Sequence, residues 1–209
     1  MKLIEGLKWR YAVKKYDTAK KVTPQDIDTI KQAIQLSASS YGLQPYKVLE
    51  VTNPELREKL KPLSWNQAQI TEASHLFIFC HSIALSDEEV EDSIKFRAEV
   101  REIELEKLIG YGDFVKGKLH EKSKEELFHW SAKQAYLGLA NAMNACAELK
   151  IDSSPIEGFE IGEVNELLGL EKEGLSAGVM LAVGYRHAED GVQHLNKFRK
   201  SIDTLFEEL

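Results

Sequence analysis

One run of sequence limits the folds open to this chain more than any other. Ser123 is followed three residues later by Glu126, the pattern in which a hydroxyl and a carboxylate satisfy the first free amides of a helix. Behind it, Trp130, Ala135, Leu137, Leu139, Ala142, Met143 and Ala147 put apolar side chains on most faces. A helix apolar all round has to be buried. Ala132, Ala135, Gly138, Ala140 and Ala142 keep its surface small, so neighbouring backbones can approach closely, in the core or at a subunit contact. The fold is expected to be built around this helix.

Shorter signals place the other elements. Thr23, Pro24 and Asp26 give an N-cap, a first-turn proline and a first-turn acid ahead of Ile27, Ile30 and Ile34, which predicts an amphipathic helix. Asn53 and Pro54 repeat the start signal, and Lys47 to Val51 before them alternates as a half-buried strand would. Leu76 to Ile83 and Ser176 to Gly184 read as buried strands, and Gly162 to Leu168 as a short helix. From Ser86 to about Leu108 many acids and irregularly spaced apolar residues predict one mostly exposed helix. Ser153 to Phe159 reads as a short link, and the residues from His187 onward as a polar tail. Strands and helices interleave with helix predominating, which predicts an α/β (α+β) fold and excludes an all-β one. No repeat or linker divides residues 1–209, so one domain is expected.

Charge and composition remove several classes of function. A formal net charge of -7 opposes binding to duplex nucleic acid, so any phosphate site must be local. The apolar runs Leu76 to Cys80 and Ala177 to Val183 fall short of the roughly 18 to 20 residues that cross a bilayer, so no membrane association is expected. The opening MKLIEGLKWR has no continuous apolar stretch, which predicts a cytoplasmic protein. Cys80 and Cys146 lie in apolar runs without a second cysteine at metal or redox spacing and read as buried inert thiols. No metal site is expected, since the histidines form no HExxH pattern, although His75 and His81 flank an apolar segment. The glycine-rich nucleotide loops and the GxSxG nucleophile elbow are also absent.

What remains is a series of short polar segments, each with an ordinary reading beside a functional one. Arg10 and Lys14 are a solvated basic pair or a grip on one phosphate monoester. Ser39 and Ser40 cap and turn the chain after the Thr23 helix or contact a ligand, and Gln44 stabilises that turn. In SSPIEGF, Gly158 permits close backbone approach, so the segment is a tight connection or a loop presenting an amide to a flavin nitrogen. Lys197 and Arg199 are an exposed basic tail or part of an anion site.

Taken in order, KWRYAVKKYD, SASSYGLQPY, WNQAQITEASH leading into LFIFC, HWSAKQAYLGLANAM, PIEGF and LNKFRKS resemble the FMN-dependent nitroreductase family. The similarity is to its bacterial branch of oxygen-insensitive NAD(P)H nitroreductases, which includes dihydropteridine reductase activity. PIEGF and AKQAYL are the most specific segments, and the resemblance covers nearly the whole chain. It implies a mixed sheet sandwiched by helices in an intertwined homodimer, with FMN at the subunit interface. It also implies NADH or NADPH as co-substrate and small-molecule electron acceptors: nitroaromatics, quinones or dihydropteridine. Relatives of this type also include dehalogenases and flavin-fragmenting enzymes, and a flavin-binding sensor or store without turnover is a further reading.

By position, the resemblance implies that Arg10, Lys197 and Arg199 hold the FMN phosphate, with backbone contacts from Tyr11 and Ala12. Lys14 would face the pyrimidine side of the ring, where charge develops on reduction, and touch the nicotinamide. Asn66 would bond the ring's polar edge and Gln134 the ribityl chain or phosphate side. Ala38, Ser39 and Ser40 would come from the partner subunit, and Pro155, Ile156, Glu157 and Gly158 would face the ring with a backbone amide near N5. Phe114 would serve as an aromatic lid and Gln69 would stand near the nicotinamide. The chain departs from the family pattern at four places: Ala12 for a phosphate-binding Ser, Ala38 for Pro, Tyr46 for Trp and Gln69 for Lys. Losing the Ser hydroxyl is expected to weaken FMN binding by roughly 0.5 to 1.5 kcal/mol unless water replaces it.

Overall fold

The computed structural model describes residues 2–209. Along the chain lie α1 (Lys2–Trp9), α2 (Pro24–Gln35), β1 (Tyr46–Glu50), α3 (Pro54–Leu63), α4 (Gln69–Glu72), β2 (His75–Ser82) and α5 (Asp87–Val100). They continue as α6 (Glu106–His120), α7 (Lys124–Glu148), β3 (Asp152–Ile156), α8 (Ile161–Leu168), β4 (Leu175–Gly184) and α9 (Ile202–Leu205). The strands form one sheet in the order β1-β2-β4-β3, every pair antiparallel, with Val48 opposite Phe79, Ile78 opposite Met180 and Ser154 opposite Ala182.

Both faces of this sheet are covered, which explains why β2 and β4 read as continuous apolar runs. Because side chains alternate across a strand, Phe77, Phe79, Val179, Leu181 and Val183 point to one face. There they meet Ile27, Ile30 and Ile34 of α2 and Ala135, Leu139, Ala142 and Cys146 of α7. Leu76, Ile78, Cys80, Met180 and Ala182 point to the other, against Leu60, Ile70, Phe159 and Val164 from α3, α4 and α8 with the turn before it. The expected sandwich of helices about a sheet is present. Gly138 lets α7 lie close, since a Cβ there would sit 3.2 Å from the Tyr46 hydroxyl and 3.5 Å from the Phe79 ring.

The capping signals correspond to observed bonds. Thr23 Oγ1 accepts from the Asp26 amide, and Asn53 Oδ1 accepts from the amides of Glu55 and Leu56. At α7 the Glu126 amide donates to Ser123 Oγ at 3.2 Å, and the Ser123 amide donates to the Glu126 carboxylate at 2.7 Å. Ser86 and Glu89 form a second such box at the head of α5.

Two expectations need correction. The charged stretch after Ser86 is not one helix: it breaks after Val100, where Glu102 takes a left-handed φ of 53°, and α6 begins at Glu106. The pair is also less exposed than expected, because Val90, Ile94, Val115 and Leu119 form a core of their own with Tyr41, Tyr111 and Trp130. The segment expected to be a link after α7 is edge strand β3, and the turn comes only after Ile156. Pro155 is tolerated there because an edge strand leaves one side of its backbone without a ladder partner.

Candidate functional site

The residues after α1 run as a strap along the free edge of β3, with Ala12 bridging Ser153 in parallel and Tyr16 bridging Arg186. Asp190, 3% exposed, anchors the strap from the far end of the chain. Its carboxylate accepts from the amides of Lys14 at 2.9 Å and Lys15 at 3.4 Å and from the Tyr11 hydroxyl at 3.2 Å. Burial raises the Asp190 pKa, but these donors and the Val192 amide outweigh it and hold the carboxyl below its ordinary value. Arg186 ties the other side: it makes a two-pronged ion pair with buried Asp152 and stands 4.5 Å from the ring centres of both Trp9 and Tyr11.

Beyond Asp190 the chain returns to the start of the strap. Lys197 Nζ donates to the carbonyl of Leu7 at 2.6 Å and to that of Arg10, at the C-terminal end of α1 where a cation is favoured. Three cations thereby converge. Burial, and next the charge of Arg199, pull the Arg10 guanidinium below its ordinary pKa. Burial, then Arg10 and Arg199, do the same to Lys197. Among the described residues, Arg10 Nη2 reaches only the Ser153 carbonyl, at 3.5 Å, while Arg10 Nε is buried with no hydrogen-bond partner. A cluster of like charges around an unsatisfied buried donor fits an anion, and a phosphate monoester supplies about -1.5 to -2 charge with several strong acceptor oxygens.

A second cluster joins the loop before α4 to the turn after β3. Trp65 and Asn66 both take left-handed backbone, φ 52° and 55°, which turns the loop toward Gly158. Gln67 Nε2 donates to the Gly158 carbonyl at 2.8 Å, and Trp65 Nε1 donates to Glu160 at 2.9 Å. A Cβ on Gly158 would fall 2.6 Å from the Trp65 ring, so a larger residue would push the indole off that contact. Glu157 is exposed and accepts from the Tyr136 hydroxyl of α7, whereas Ile156 sits in the core and offers the turn backbone only.

A third group lies around the head of β1. Gln134 Oε1 accepts from the Ser40 amide at 2.8 Å, Ser39 Oγ accepts from the Gln44 amide, and Ala38 is exposed. Phe114 on α6 is 52% exposed and meets Tyr41 edge-on at 6.5 Å. No hydrogen bond or ring contact among the described residues joins this group to the Arg10 cluster within one chain. Lys14 is exposed, and Gln69 is buried at the head of α4.

A family model of the nitroreductases matches residues 7–185. The chain belongs to the nitroreductase family. YfkO of Bacillus subtilis is 37% identical over 197 residues, covering 88% of each chain. The major NAD(P)H-flavin oxidoreductase of Aliivibrio fischeri is 31% identical over 208 residues, covering 96% of this chain and 95% of that one. The FMN complex of an Exiguobacterium sibiricum protein has the same fold, with a TM-score of 0.87 at 20% identity over 99% of this chain and 97% of that one. In this nitroreductase Asp190, the Arg186–Asp152 pair and the Trp65–Gly158 contact carry no signal of their own in the sequence. Each joins residues distant in sequence, and no local spacing announces them. Among the described residues there is no cluster of metal ligands, and no helix is long and apolar enough to cross a membrane.

Proposed function

We propose that this nitroreductase is an FMN-dependent NAD(P)H oxidoreductase: one FMN-binding unit spanning residues 1–209, acting in the cytoplasm as a homodimer on small organic acceptors. The observation that carries this reading is that buried Arg10, whose Nε has no partner among the described residues, lies beside Lys197, bonded to its carbonyl, and within electrostatic reach of Arg199. Two relatives support it by what they bind or are named for: flavin and NAD(P)H in the Aliivibrio protein, FMN in the Exiguobacterium structure.

In this reading the three cations hold the FMN phosphate, and the Tyr11–Ala12 strap, kept in place by Asp190, supplies backbone contacts. Lys14 offers a cation to the pyrimidine side of the ring and to the nicotinamide. Asn66 bonds the ring's polar edge, and the 155–158 turn presents its backbone to the ring. Gln134 serves the ribityl side, residues 38–40 come from the partner subunit, Gln69 lies toward the nicotinamide and Phe114 covers the ring. When bound, FMN would supply two-electron hydride chemistry between NADH or NADPH and, in ping-pong order, nitroaromatics, quinones or dihydropteridine. The protein needs no nucleophile; its residues orient donor and acceptor in turn and set the potential.

The deciding experiment is an anaerobic titration of the yellow purified protein with NADH and with NADPH, followed by a panel of nitro compounds and quinones. Bleaching by a nicotinamide and return of colour with an acceptor are expected. Colourless protein that takes up no added FMN would overturn the reading. FMN that neither nicotinamide bleaches would assign a flavin-binding role without turnover, and product analysis would separate reduction from dehalogenation or flavin fragmentation.

A further inference from the structure

The turn after β3 is held by its backbone on every side but one. The Glu160 amide donates to the Leu63 carbonyl at 2.9 Å, the Phe159 amide to the Glu157 carbonyl at 3.0 Å, and Gln67 to the Gly158 carbonyl. Ile156 and Phe159 are packed in the core on either side of Glu157 and Gly158. The backbone of the turn is thus fixed without help from α7. What α7 adds is the Tyr136 hydroxyl, which donates to Glu157 Oε1 at 2.5 Å across 21 residues of sequence. Both side chains are exposed, and ordering two exposed side chains costs conformational entropy. Burial, then the bond to Glu157, raises the Tyr136 pKa well above its ordinary value, so the hydroxyl remains a donor throughout the working pH range.

We infer that Tyr136 is a positioning residue that fixes and partly neutralises the Glu157 carboxylate beside the flavin, and so sets the flavin's reduction potential. This rests on the FMN reading, which brings the 155–158 turn to the ring. A carboxylate near a ring that gains negative charge on reduction disfavours the reduced form, and a hydroxyl donating to that carboxylate weakens the effect. The two members of the pair therefore push the potential in opposite directions.

The test is the midpoint potential of the FMN-loaded protein, by dye equilibration, for wild type, Tyr136→Phe, Glu157→Gln and the double variant. Glu157→Gln is expected to favour the reduced form about tenfold, which for a two-electron couple is about 30 mV upward. Tyr136→Phe is expected to move the potential downward by severalfold in the same equilibrium, and to have no effect once Glu157 is Gln. Circular dichroism should stay near wild type, since the backbone bonds of the turn remain. Potentials unchanged in both single variants, shifted in the same direction, or additive in the double variant would overturn the inference. Wild-type protein that binds FMN and is reduced by a nicotinamide while the variants match it would sink this inference alone; failure to bind FMN would sink it together with the functional reading.

Discussion

Arg57 shows how much one side chain can hold when its bonds all go to backbone. Its Nε donates to the Val51 carbonyl, Nη1 to Ala73 at 2.6 Å and Nη2 to Ser74, tying the ends of β1, α4 and β2 while 8% exposed. Arg57→Ala leaves three carbonyls short of a donor, and at about 1 to 3 kcal/mol for each buried unsatisfied group the loss is expected to reach about 3 kcal/mol or more in urea unfolding. His81 carries a pH dependence. It is 1% exposed, and Ser131 Oγ lies 3.0 Å from its Nδ1 while also bonding the Ser82 carbonyl at 2.5 Å. Burial lowers its pKa in the folded protein, so the unfolded chain binds more protons in the window just below the ordinary histidine value of about 6.5. Stability from this group is full above that value and lost as pH falls through the window toward the folded pKa. The melting temperature of His81→Gln should fall less steeply between pH 7 and pH 5 than that of wild type. Some slope persists, because His75 is shifted the same way by burial. Equal slopes for the two proteins would refute the assignment.

At the scale of elements, whatever carried its own local signal was legible. Thr23, Asn53 and Ser123 each cap the helix they announced, because a capping bond is made within three residues of its donor. Strands β2 and β4 were legible because burial on both faces makes their runs wholly apolar. Strand β3 was not, since Asp152, Ser153, Ser154 and Pro155 are poor strand formers that pair only because β4 offers an edge. The break between α5 and α6 was hidden because residues 101–105 contain neither Gly nor Pro: Glu102 takes the left-handed conformation usually left to glycine, while the Ile103 amide closes the helix end on the Ala98 carbonyl. The candidate site divides in the same way: the three cations proposed for the phosphate were named only through the family resemblance, while Asp190, Arg186 and Tyr136 act across 21 or more residues. The capping argument makes its own prediction. Ser123→Ala removes the hydroxyl acceptor at the head of the longest helix, and about 1 kcal/mol of stability should go with it in urea unfolding, against a negligible change for Ser201→Ala in the exposed tail.

At the scale of the whole molecule, the proposed phosphate clamp draws its cations from both ends of the chain, and the C-terminal end is the less well supported within one copy. Arg199 is exposed and, among the described residues, its Nη1 donates only to the adjacent Phe198 carbonyl, so Arg199→Ala should leave the melting temperature of the apoprotein unchanged. Loss of a charge-assisted phosphate contact worth about 1.5 to 3 kcal/mol should weaken FMN binding at least about tenfold, measured by quenching of flavin fluorescence. The same tail exposes Phe198 at 87%, Ile202 at 74% and Phe206 at 73%, and α1 exposes Leu3, Ile4 and Leu7. Side chains of this size each contribute about 1.5 to 3 kcal/mol when fully buried, and apolar surface exposed at both chain ends, which meet where Lys197 bonds the end of α1, marks an interaction site. In a homodimer the partner would cover this tail, and holding the tail would also hold Lys197 and Arg199 in place. Charging the tail with Phe198→Asp and Phe206→Asp should therefore have two linked effects: sedimentation equilibrium should shift from dimer to monomer, and FMN should be lost over the same range of protein concentration. A monomer that retains FMN at wild-type affinity would uncouple the clamp from assembly, leaving the exposed tail without the role argued for it.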